Sequence, residues 1–106
     1  MARALFSPRA RNDLLDIWTY IAEDSSKTAD AWVARIVETA DVLASFPYLG
    51  RVRTELIGSP RSIAIESFVL FYDVHPNSIR VLRVLHGSRD IPHLFLDTVN
   101  GSGQRK

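Results

Sequence analysis

A chain of 106 residues, 46% apolar and 24% charged, is long enough for one folded domain and too short for two. The absence of cysteine excludes a disulfide scaffold and thiolate chemistry, and no stretch approaches the roughly 18 apolar residues of a membrane span. The net charge of +1 conceals an asymmetry: residues 1–50 carry five basic and seven acidic side chains, residues 51–106 eight basic and five acidic.

Residues 2–6 read as a short first strand. Ser7-Pro8 marks a helix start, with Ser7 as N-cap and Pro8 in the first helical position. The helix is predicted to reach Glu23, since Ala10, Leu14, Ile17, Trp18 and Ile21 repeat at helical spacing. Asp24-Ser25-Ser26 forms a turn and the next cap. A second helix is predicted over 27–45, with Ala29, Trp32, Val33, Ile36, Val37, Ala40, Leu43 and Ala44 on its apolar arc. So short a connection makes the two helices an antiparallel hairpin, and Pro47 ends the second.

Periodicity disappears over 51–60, which reads as a loop. Strands are predicted over 62–65, 67–74 and 79–86, the middle one apolar on both faces as a central strand is. His75-Pro76-Asn77-Ser78 is a hairpin turn between the last two. Residues 91–96 read as a helical turn. The domain is expected to end near 98, and the polar residues 99–106 to be a disordered tail. The fold class is therefore α+β, in β-α-α-β-β-β order, with a helical hairpin packed on an antiparallel sheet.

Chemistry-bearing motifs are sparse. The five glycines form no nucleotide-binding pattern. His75, His86 and His93 have no helical partner at metal-ligand spacing, so no metal and no cofactor is expected. His86, Ser88 and Asp90 lie too close in sequence to converge as a hydrolase triad and read as a turn closing the last strand.

One feature points to a protein partner. With Leu15 and Ala22, the apolar arc of the first helix widens to about 160°, against about 100° for a typical core stripe, and that of the second spans about 140°. Either the excess is simply hairpin packing, or it is a groove for another chain's amphipathic helix.

Phe6-Ser7-Pro8-Arg9-Ala10, then Asp13-Leu14, Ile17-Trp18 and Tyr20-Ile21-Ala22, resembles the opening of ParE-type toxins. So do Leu43-Ala44 with Pro47, Gly50-Arg51 with Arg53, Arg61-Ser62, Phe68 to Tyr72, and Arg83-Val84-Leu85-His86-Gly87 with Arg89-Asp90. In this order the pieces cover residues 6 to about 95 and resemble the ParE/RelE superfamily, whose β-α-α-β-β-β fold is the one read above.

The resemblance implies the toxin of a type II toxin–antitoxin system, of the kind associated with plasmid stabilisation. It implies a cytoplasmic protein that inhibits DNA gyrase by binding, is neutralised by a ParD-like or other small DNA-binding antitoxin, and meets operator DNA only through that antitoxin. Leu15, Trp18, Ala22, Val33, Ile36 and Val37 are the expected antitoxin contacts. The arginine-rich second half supplies the expected target contacts: Arg51, Arg53, Arg61, Arg83 and Arg89.

The alternative within the superfamily is a RelE-like ribosome-dependent mRNA endonuclease, which would rely on His86, Arg89 and Arg83. The arginine that RelE members carry on the central strand falls at about Val69, and their C-terminal tyrosine at about Phe95. Neither residue can bind phosphate or move a proton, so no catalytic residue is expected.

Overall fold

The computed structural model describes residues 3–89, 91–93 and 95. The elements are β1 (Arg3–Phe6), α1 (Pro8–Ala22), α2 (Ser26–Ser45), β2 (Arg51–Val52), β3 (Arg61–Ile65), β4 (Phe68–His75) and β5 (Ser78–His86). The expected α+β arrangement is present: a helical hairpin lies on a five-stranded sheet of order β1-β5-β4-β3-β2. The expected tail and the limit at 98 lie outside the described residues.

Both helix starts follow their caps. Ser7 Oγ accepts from Ala10 N at 3.0 Å and Ser25 Oγ from Thr28 N at 3.2 Å, each satisfying an otherwise orphaned first-turn donor. Ser7 Oγ also donates to Leu82 O at 3.0 Å, pinning the start of α1 to β5.

The sheet is mixed rather than wholly antiparallel. β1 runs parallel to β5, from Arg3 opposite Ser78 to Phe6 opposite Val81. The antiparallel helices return the chain, which re-enters at the far side of the sheet and reaches β1 again only with its last strand. A two-residue β2 pairs with Ser62 and Arg61 inside the segment expected to be loop; two residues carry no detectable period.

Two apolar clusters sandwich the sheet. Ile36, Ala40, Leu43 and Ala10 from the helices pack on Leu70, Tyr72, Ile79, Val81 and Val84. On the opposite face Phe71 and Leu85 pack with Leu56, Ile91 and Phe95. Alternation along β4 sends Leu70 and Tyr72 to the helices and Phe71 away from them. Tyr72 is fully buried, and its hydroxyl donates to Pro47 O at 2.7 Å and accepts from Gly50 N at 2.9 Å. A Cβ at Gly50 would overlap the phenol, which explains glycine at that close approach.

Candidate functional site

β1 covers β5 only as far as Val81. Past that point α1 takes its place. Asp13 Oδ2 accepts from Arg83 Nε at 2.7 Å and from Val84 N at 3.0 Å, while Oδ1 accepts from Arg83 Nη2 at 3.0 Å. Both side chains are about nine-tenths buried. The carboxylate thus neutralises a buried guanidinium and satisfies a strand-edge amide.

Arg83, expected to contact a target or an RNA phosphate, is thus engaged within the protein and only edges a neighbouring cleft. Its guanidinium is committed to Asp13 inside the protein. The partner could have been read from sequence: Asp13 follows Ala10 by three residues, on the apolar stripe of α1, where an unpaired carboxylate is costly. β4 and β5 shift register between Phe71 and Tyr72, so Phe71 faces Arg83 and Leu82 is skipped.

Beside this pair a half-open cleft of about 520 Å³ separates α1 from the end of β5. Asp16 and Tyr20 line one side, Phe68 the floor, and His86, Ser88 and Arg89 the other. The Ser88 amide donates to His86 Nδ1 at 3.2 Å, and Ser88 Oγ lies 2.7 Å from the same nitrogen. Nδ1 is therefore an acceptor engaged with its own turn. His86 is also held edge-on to Phe68, with ring centroids 5.6 Å apart. The polar groups lining the cleft are the His86 imidazole, the Ser88 hydroxyl, the Tyr20 phenol, the Asp16 carboxylate, the Arg89 guanidinium and, at its edge, the paired Asp13 and Arg83.

The six residues expected to meet an antitoxin separate by burial. Leu15 is 61% exposed. Trp18, Ala22, Val33 and Val37 are half-buried. Ile36 is fully buried in the core between α2 and the sheet, so its assignment to a partner surface is wrong. The helical wheel gives the breadth of an apolar arc but not which residue at its centre meets the sheet. Trp18 also works within the hairpin, its indole N–H donating to Asp30 Oδ1 at 2.8 Å.

The five expected target-binding arginines are not brought together. Arg51, Arg53 and Arg61 lie near the Tyr72 end of β4, through the pairing of β2 with β3 and of Arg61 with Tyr72. Arg89 lies at the other end, beyond the pairing of Phe68 with His86. Arg53 is tied to Glu55 at 2.6 Å and to Ser62 Oγ at 3.2 Å. Its guanidinium holds the Glu55 carboxyl below its ordinary pKa. Arg61 donates to Gly50 O at 2.7 Å and stacks 4.9 Å from the Tyr48 ring centroid.

Val69 and Phe95 both belong to the apolar cluster on the face away from the helices. The Phe95 ring meets Phe71 edge-on at 5.1 Å. The two positions expected to match the RelE arginine and tyrosine thus carry hydrocarbon side chains, and the Arg53 guanidinium lies 5.7 Å from the Phe71 ring centroid.

Residues 4–91 match the family model described as ParE toxin of type II toxin-antitoxin system, parDE. The chain belongs to the ParE toxin family. Toxin ParE1 of Caulobacter vibrioides is 36% identical over 83 residues, 77% of this chain and 85% of that one. Toxin RelE2 of the same organism is 29% identical over 89 residues, covering 84% of this chain and 99% of that one. Among solved structures, a chromosomal ParDE toxin–antitoxin system from P. aeruginosa shares the fold, with a TM-score of 0.66, 24% identity, and coverage of 81% of this chain and 95% of that one. Membership makes the protein a toxin of the type II ParDE kind, which implies an antitoxin as its partner. Among the described residues no helix is long and apolar enough to cross a membrane.

Proposed function

We infer that this toxin acts by binding DNA gyrase rather than by cutting RNA, and that an antitoxin helix neutralises it along Leu15, Trp18 and Ala22 of α1. The supporting observation is the pair Val69 and Phe95, packed among Phe71 and Leu85. Cleaving RNA at the 2′-hydroxyl requires a proton acceptor, a proton donor and cations against the phosphate. Valine and phenylalanine supply none of these. Inhibition by binding is the activity associated with ParE members, and the ParE model spans most of this chain. Operator DNA is met through the antitoxin, because a near-neutral toxin lacks the field that bare DNA binding requires.

The antitoxin reading rests on Leu15. A leucine 61% exposed at mid-helix, three and seven residues before half-buried Trp18 and Ala22, forms an apolar line on one helical face. An amphipathic helix laid along α1 would cover that line.

A second reading, an RNA-cleaving toxin, is favoured by the cleft that holds His86 and Arg89 and by the relative named RelE2. There Arg89 would bind phosphate, but its guanidinium stays charged and leaves proton transfer to His86 and, across the cleft, to Asp16 and Tyr20.

Expression of the toxin without antitoxin separates the two. Gyrase inhibition gives filamentous cells, induction of the DNA-damage response and trapped cleavage complexes. An RNA-cleaving toxin gives cut transcripts and stalled translation, which would overturn the binding reading.

A further inference from the structure

The loop that follows α2 exposes an unusual set of side chains. Phe46 is 63% exposed, Tyr48 70% and Leu49 61%. Val42, one helical turn before Phe46, is 51% exposed. Phe46, Pro47, Tyr48 and Leu49 line one shallow hollow of about 340 Å³. Single exposed apolar side chains are ordinary, but four gathered on one loop and the adjoining turn form a patch.

The loop is held from beneath. Tyr72 grips Pro47 O and Gly50 N, and Arg61 grips Gly50 O. Arg61 also stacks on the Tyr48 ring. The aromatic groups are thereby presented without the entropy cost of ordering a loose loop on binding. Residues 42–53 contain Arg51 and Arg53 and no acidic residue. Arg61 stands among them, and the nearby Glu55 is already tied to Arg53. Tyrosine and arginine around an apolar centre are the composition of interface hot spots.

We propose that Phe46, Tyr48 and Leu49, flanked by Arg51 and Arg61, are the surface with which the toxin grips its cellular target, a protein presenting an apolar hollow rimmed by carboxylates. The assignment rests on the reading of the chain as a toxin that acts by binding. The basic flank selects an acidic protein surface through charge complementarity. The patch is also remote from the proposed antitoxin line on α1. It lies past the C-terminal end of α2, a helix of about 30 Å whose other end joins α1.

The test is a Phe46→Ala/Tyr48→Ala/Leu49→Ala variant of the full chain, read by toxicity on expression, antitoxin affinity and mass in solution. The expected result is loss of toxicity with antitoxin affinity unchanged, since truncating hot-spot residues weakens target binding about 30-fold or more. Full toxicity in a folded variant would overturn the proposal. A parallel loss of antitoxin affinity would overturn it by giving the patch to the antitoxin. A wild-type dimer that the variant dissolves would overturn it by giving the patch to a second copy. Should the triple variant fail to unfold cooperatively, Leu49→Ser and Arg51→Glu, both at exposed positions, carry the same three readouts. If the wild type leaves gyrase active while the variants still lose toxicity, the gyrase reading falls and the patch stands.

Discussion

Asp13 stands in for a missing strand beside Arg83. Its carboxylate binds the Arg83 guanidinium at 2.7 and 3.0 Å and accepts the Val84 amide at 3.0 Å, where β1 no longer covers β5. Removing one partner of such a buried pair leaves an uncompensated charge. Asp13→Ala is therefore expected to cost about 3–5 kcal/mol of unfolding free energy in urea titration. Asp13→Leu with Arg83→Met recovers part of that loss, but remains about 1–3 kcal/mol below wild type because the Val84 amide keeps no acceptor.

His86 decides between binding and catalysis. On the binding reading, His86→Ala leaves toxicity on expression essentially unchanged, along with antitoxin affinity. Loss of toxicity in that variant, with cut transcripts gone and with stability and antitoxin affinity retained, would restore the nuclease reading.

Leu15 and Ile36 form a controlled pair. Leu15→Glu, at an exposed site, is expected to change stability by less than about 0.5 kcal/mol while raising the antitoxin dissociation constant about tenfold or more. Ile36→Ala is expected to do the reverse: it costs about 2–5 kcal/mol in unfolding and leaves the affinity of the folded fraction intact. Calorimetric titration beside thermal unfolding measures both.

Much of the fold was legible from a few residues. Ser7-Pro8 and Ser25 announce the helix starts, Pro47 the end of the hairpin, and Pro76-Asn77 the last turn. The parallel placement of β1 was not, because a four-residue strand carries no mark of its neighbour. The Asp13–Arg83 pair left a trace: Arg83 shares strand parity with Ile79 and Val81, both core residues, and Asp13 lies on the inward stripe of α1. Opposite charges both directed inward signal a pair. Arg83 instead resembled its exposed neighbours Arg80 and Arg89 in composition alone. The exposed cluster at Phe46, Tyr48 and Leu49 was illegible for another reason: apolar residues around a proline read equally well as a buried helix end.

Tyr72 links stability to alkaline pH. Burial raises its pKa above the ordinary 10.0, only partly offset by the Gly50 amide and Arg61. A raised folded-state pKa gives stability that is complete below about pH 10 and lost as pH rises through the folded value. Tyr72→Phe is expected to cost about 1–3 kcal/mol at neutral pH by orphaning Pro47 O and Gly50 N. It should also flatten the fall in unfolding free energy above pH 10. A fall as steep as in wild type would assign the alkaline transition to other groups.

Purified toxin added to a gyrase supercoiling reaction, beside a ribosome-driven translation reaction on the same preparation, separates inhibition by contact from RNA cleavage. If the toxin acts by contact, supercoiling stops, antitoxin restores it and the messenger stays whole. Cut messenger with supercoiling undisturbed would show that the toxin cleaves RNA instead.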